Sequence, residues 1–271
     1  MDAPKKELDF ARPPVNEVVL SVVFEPLDRF LAPHLGEIWQ EFKRFGFVYT
    51  KVQGAVPPAI ESFSDQISGP HVRINNVPNF DRILFIHESG DQILQVQRDR
   101  FTFNWRKIED GQRYPGFSTI FAKFEEFYTR FREILKNQEI GEIIPLQYEL
   151  SYINQLLRGN SWNTLDALGQ VYNMFVDSQK SKSFWSGAES VFLRTSFPIV
   201  DLHGRLHLAI SNRVKLLGKK QTLQTDFTVR GFPENTESEM IAWFKSARGE
   251  ILEKFANMFT DDIQTRVWER K

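Results

Sequence analysis

The chain has 271 residues, 41% hydrophobic and 25% charged, a balance typical of folded proteins and far from disordered or fibrous compositions. With 34 basic and 35 acidic residues the formal net charge is -1, so no global field draws the chain to nucleic acid or to an anionic membrane. Cysteine is absent, which excludes disulfides, thiolate catalysis and cysteine-ligated metal centres. The start, MDAPKKELDFARPP, lacks the apolar core of a secretory leader, and no apolar run approaches the ~20 residues of a membrane span, so a cytoplasmic protein is expected.

Residues 1–14 are polar and end in Pro13-Pro14, which predicts an extended, flexible arm. NEVVLSVVF (16–24) is Val-rich and reads as a buried strand. Over 33–45, Leu35, Ile38, Trp39, Phe42 and Phe45 recur at steps of three and four, the period of an amphipathic helix. Gly46 is a natural stop, and 47–52 reads as a short strand. The connection 53–81 is rich in Pro and Gly, and a loop of that length is often functional.

Residues 82–107, RILFIHESGDQILQVQRDRFTFNWRK, read as three strands joined by turns at Ser89-Gly90-Asp91 and Arg98-Asp99-Arg100. In the third strand Phe101, Phe103 and Trp105 share one face, and Thr102, Asn104 and Arg106 share the other. The stripe Phe117, Ile120, Phe121, Phe124, Tyr128, Phe131 and Leu135 predicts a long helix over 116–136, lying across the sheet. The chain holds 25 Phe against 6 Trp and 6 Tyr, so a core of packed rings is expected.

The same order then recurs. A strand is expected over 146–153 and a helix over 162–176, followed by three strands at 191–200, 205–214 and 222–230. A long helix over 237–259 comes next, introduced by a capping pair of Thr236 and Glu239, and the tail reads as a short helix. The predicted fold class is α+β: two related β-α-β-β-β-α halves, at 15–140 and 141–271 behind the arm 1–14. Antiparallel sheets, either joined or packed around a common core, would each be covered by a long amphipathic helix, leaving the other sheet face for solvent, a partner or a ligand.

Four segments occurring in order carry a resemblance: PPVNEVVLSVVF (13–24), ILQVQRDRFTFNWRK (93–107) with YPGF (114–117), YELSYIN (148–154) and FANMFTDDIQTRVW (255–268). Together they resemble a sporadically distributed, uncharacterised prokaryotic family of roughly this length. The resemblance spans nearly the whole chain, with 95–107 its most specific piece. It implies no activity, cofactor or catalytic residue; patchy distribution in such families hints at defence-related or mobile gene neighbourhoods.

No chemical constellation forms in the sequence. His203 and His207 are spaced by four, but Gly204 and the alternation of Leu206, Leu208 and Ile210 place them on a turn and strand rather than a metal-binding helix. His34, His71 and His87 stand alone. Asp261-Asp262 and Glu125-Glu126 fall on expected helices, where adjacent side chains diverge by about 100°. Ser68-Gly69 and Ser186-Gly187 have no His or Asp partners, and no phosphate-loop or nucleophile-elbow motif is present. No catalytic, metal or cofactor residue is therefore assigned, and no cofactor is expected.

The leading expectation is a non-enzymatic protein that binds a protein partner or its own copy, through the free sheet face, a sheet edge or the 53–81 connection. Its candidate contact residues are Arg98, Arg100, Arg106 and Lys107. Because these surround Phe101, Phe103 and Trp105, single-stranded nucleic acid is an alternative partner. Lys215, Lys219 and Lys220, with Lys180 and Lys182, would make smaller basic turns. A hydrophobic ligand is a third possibility, should helices and sheet enclose an apolar cavity.

Overall fold

The computed structural model describes residues 9–63, 80–175, 187–214, 221–233 and 237–271. The expected capping Thr236, the basic turns at Lys180, Lys182, Lys215, Lys219 and Lys220, and Ser68, Gly69, His71 and Ser186 lie outside the described residues.

The strands are β1 (Val15–Phe24), β2 (Tyr49–Gln53), β3 (Arg82–Ile86), β4 (Gln92–Gln97), β5 (Arg100–Arg106), β6 (Pro145–Leu157), β7 (Phe192–Ile199), β8 (Gly204–Val214) and β9 (Gln221–Gly231). The helices are α1 (Ala32–Lys43), α2 (Phe117–Asn137) and α3 (Glu237–Met258). All nine strands form one sheet in the order β2-β3-β4-β5-β1-β6-β9-β8-β7, with every pairing antiparallel. The strands are joined into one continuous sheet rather than packed as two: β1 pairs along its length with β6, closing what would otherwise be two open edges.

Alternation sets the two faces. Val18, Leu20, Val22 and Phe24 of β1, Phe101, Phe103 and Trp105 of β5, and Tyr148, Leu150 and Tyr152 of β6 point to one side and are buried. The register slips by one residue near Asn16, where Glu17 opposes Ile153 but Val15 opposes Asn154. That bulge returns Val15 to the buried face.

All three helices lie on this side. Phe101 stacks on Phe131 of α2 (4.9 Å between centroids), and Phe103 meets Phe127 edge-on (5.5 Å). Phe42 of α1 touches Phe85 and Phe127. Phe244 of α3 contacts Phe121, Phe124 and Tyr148, joining α2, α3 and the sheet into a continuous core. No helix among the described residues is long and apolar enough to cross a membrane.

Two local expectations change. The region expected as a helix over 162–176 holds only a 3-10 segment, Leu165–Gln170, within the described residues. Leu165, Leu168, Val171 and Tyr172 still bury, but the backbone spends its donors elsewhere, with Asn173 N–H bonding to the Met258 carbonyl. The arm is held from Asp9 onward: Phe10 bridges to Arg270 and packs on Phe255 and Trp268, while Asp9 pairs with Lys271.

Candidate functional site

The helix-free face of the sheet is polar and sheltered. Three of its rows run across the strands. One carries Gln95, Thr102, Ser21, Glu149, Arg230 and Arg205. The next carries Asn104, Val19, Ser151, Thr228 and His207, and a third carries Glu17, Ile153 and Asp226. Between them lies a trough of about 310 Å³ floored by β3, β4, β5, β1, β6 and β9. Ser21, Thr102, Asn104 and Ser151 are all buried there, an unusual density of polar groups for a sheltered sheet face.

Most of these groups are mutually satisfied. The Ser21 and Thr102 hydroxyls meet at 2.6 Å, and those of Ser151 and Thr228 at 2.8 Å. A directional relay crosses four strands. Arg82 Nη1 donates to Gln95 Oε1 (2.8 Å), Gln95 Nε2 to Asn104 Oδ1 (2.6 Å), and Asn104 Nδ2 to Glu17 Oε1 (2.5 Å). The amide dipoles point head to tail from a guanidinium to a carboxylate, an arrangement in which each bond polarises the next.

The trough has unlike ends. At one, burial pushes the Glu17 carboxyl above its ordinary range, against the opposing pull of the Asn104 hydrogen bond; Asp226 is also raised, chiefly by burial. At the other end stand Arg82 and Arg100. Burial lowers the Arg100 guanidinium from its usual value, although Glu149 and Asp99 attract it. Glu149 is already engaged, accepting from Arg230 Nε. Among the described residues Arg100 makes no side-chain hydrogen bond, and the Nε atoms of both Arg100 and Arg82 are buried without a partner.

A strap, residues 54–63, crosses this face from the end of β2. Val56 N–H donates to Gln97 Oε1, and Gln97 Nε2 donates back to the Val56 carbonyl, both at 3.1 Å. Gln147 repeats the device, accepting from Glu61 N–H (2.8 Å) and donating to the Ala59 carbonyl (3.0 Å). Glu61 then reaches Arg205 (2.9 Å) and His207 (2.6 Å) on β8. Its carboxyl is raised by burial, but hydrogen bonds from His207 and Arg205 outweigh that and hold it below the ordinary value. Five residues of extended chain span about 17 Å, close to the three strand spacings that separate β4 from β6.

The residues singled out from the sequence divide. Arg100 faces the trough. Arg106 lies on the same face, but its Nε donates to the Gly90 carbonyl (3.1 Å). Lys107 sits past the end of β5, its backbone N–H bonded to Asn16. Arg98 is not at the surface: it is 1% exposed, and its Nε and Nη2 both donate to the Phe30 carbonyl. Phe101 and Phe103 are 0% exposed and Trp105 is 4%, so none offers a face on which a base could stack. His207 meets Glu61, whereas His203 ends the turn before β8 in a left-handed conformation. Sequence reading missed Arg82, Glu17, Glu149, Asp226 and Glu61. Period-two alternation places four of them on the polar face, but nothing local reveals that β1 joins β6 and brings them together.

A second concavity, about 650 Å³, lies on the helix side between the arm, the start of α2 and α3. Its lining mixes polar side chains such as Arg113, Tyr114 and Arg248 with apolar ones such as Phe117, Ile251 and Phe255. The Tyr114 and Tyr152 hydroxyls meet there (3.2 Å), and Arg248 covers the Phe117 ring. No protein-family model, curated protein or solved structure matches the chain.

Proposed function

We propose that this chain is a non-enzymatic binding protein whose ligand lies in the trough on the helix-free sheet face. The observation that carries the reading is a sheltered concavity with unlike charged ends, floored by paired hydroxyls and bounded by a tethered strap. Such a site, concave and with few unsatisfied polar groups, suits a small polar molecule better than a flat protein surface. The two-halves reading gives it a rationale. Outward from the central pair the strands run β1, β5, β4, β3 on one side and β6, β9, β8, β7 on the other, which supports an internal duplication. The trough straddles that seam, with Ser21, Arg100 and Thr102 from one half and Glu149, Ser151 and Asp226 from the other.

The test is retention. The full chain is dialysed against a metabolite extract and read by native mass spectrometry, beside Thr102→Trp, which fills the trough. A compound held by the wild type and lost from the variant is expected; equal retention by both refutes the assignment. A protein partner is a second reading, favoured by the edge strands β2 and β7, where Tyr49 and Phe192 are exposed. Light scattering that finds only monomer, with no added chain bound, removes it.

A further inference from the structure

The arginine end of the trough carries the chemistry that selects a ligand class. Resting on the trough reading, we infer that Arg100, with Arg82 beside it, forms an oxyanion subsite, so that the ligand is a small metabolite carrying a phosphate or carboxylate group. Nearly every other charge on this face has a partner within the protein. Arg205 and Arg230 share Glu61 and Glu149, and Arg82 donates hydrogen bonds from Nη1 and Nη2 to the Gln95 and Gln53 side-chain carbonyls. Those partners of Arg82 are neutral amides, so its charge is hydrogen-bonded but not neutralised. Arg100 has neither, since among the described residues no carboxylate lies within ion-pair distance and no acceptor receives its protons.

Glu149 and Asp99 attract the Arg100 guanidinium only from beyond ion-pair distance, so its burial is incompletely offset, and an anion seated directly on it would complete the compensation. The planar fork of arginine matches the oxygens of a carboxylate or phosphate in pairs. Both arginines occupy the same end of the trough, one strand apart across β4 and on either side of Gln97. Gln97 cannot serve as their partner, because its amide is committed to Val56 and Asp99.

The opposite end fixes the rest of the ligand. Glu17 and Asp226 lie there, with Asn104 four residues along β5 from Arg100, a run of about 13 Å. Carboxyl groups in that position accept hydrogen bonds or attract a cation and repel a second anion. The molecule that fits carries an oxyanion at one end and hydroxyl or amino donors at the other, with the hydroxyl pairs Ser21–Thr102 and Ser151–Thr228 beneath its middle.

The experiment is a thermal-unfolding titration of the full chain with sodium phosphate, sodium acetate or sodium chloride at matched ionic strength. Phosphate or acetate is expected to raise the wild-type Tm by several degrees at millimolar concentration, with chloride ineffective. A response to phosphate alone selects a phosphate-bearing ligand, and one to acetate alone a carboxylate. Arg100→Gln is expected to melt higher than wild type in chloride and to lose the response at least fivefold in apparent affinity. Arg100→Lys, which keeps the charge and loses the fork, falls between, and Arg106→Gln responds as wild type. Chloride-like behaviour of both oxyanions, or an undiminished response in the Arg100 variants, overturns the subsite. The two readings fail separately: equal retention by wild type and Thr102→Trp refutes the trough, whereas an uncharged compound retained by wild type and lost from Thr102→Trp leaves the trough standing and refutes the oxyanion end alone.

Discussion

At the scale of single residues, two arginines two positions apart in sequence behave oppositely. Arg98 and Arg100 flank one turn, yet Arg98 is a structural anchor and Arg100 faces the trough. A turn arginine reads as solvated, and only the docking of the 25–31 loop over the hairpin, with Leu27 N–H on the Arg98 carbonyl, buries it. Arg98→Met should therefore destabilise by about 2–4 kcal/mol, measured by urea unfolding, because it strands the Phe30 carbonyl and empties a packed site. The carboxyls carry opposite signs. Glu17 is raised above its unfolded value of 4.5, so its favourable contribution is complete below pH 4.5 and is lost as pH rises through the folded value. Glu17→Gln should therefore raise the urea midpoint at pH 7 and give no advantage well below pH 4.5. Glu61 is lowered, so its contribution is present above pH 4.5 and is lost as pH falls through the folded value. The charged or titratable groups facing it are Arg205, His207 and Arg230.

At the scale of elements, periodicity was a good guide wherever the element is long and one-sided. The aromatic stripe of α2 and the alternation of β5 identify both the elements and the contact between them. Phe124→Ala should cost about 3–5 kcal/mol, since its ring touches Phe101, Phe121, Tyr128 and Phe244 and the cavity cannot close without moving two helices. Periodicity failed over 162–176, where an apolar stripe is buried without a helix to carry it. It was silent on the strap, whose position comes from side-chain amides on distant strands rather than from its own sequence. Because the strap is held by Gln97, Gln147 and Glu61, Gln147→Ala combined with Glu61→Gln should speed proteolytic cleavage within 54–63. The far-ultraviolet spectrum should stay unchanged, since no core ring is touched.

At the scale of the whole molecule, the β1–β6 pairing decides the architecture. The strands β1, β4, β5 and β6 and the helices α2 and α3 were legible from the sequence; the β1–β6 junction was not, because antiparallel pairing of two Val- and Tyr-rich strands has no local signature. That junction makes one cooperative unit, so the fluorescence of Trp105 and Trp243, on opposite sides of the seam, should report a single coincident urea transition; separate midpoints would mean that the halves are independent. It also creates the trough, whose floor takes β3, β4, β5 and β1 from one side of that pairing and β6 and β9 from the other. The most direct measurement of that claim is a crystal structure of the full chain grown with the compound retained in dialysis. The account predicts that compound on the helix-free face, its oxyanion against Arg100 and its donors towards Glu17 and Asp226. A compound seated in the concavity between the arm, α2 and α3, with the trough unchanged, would contradict it.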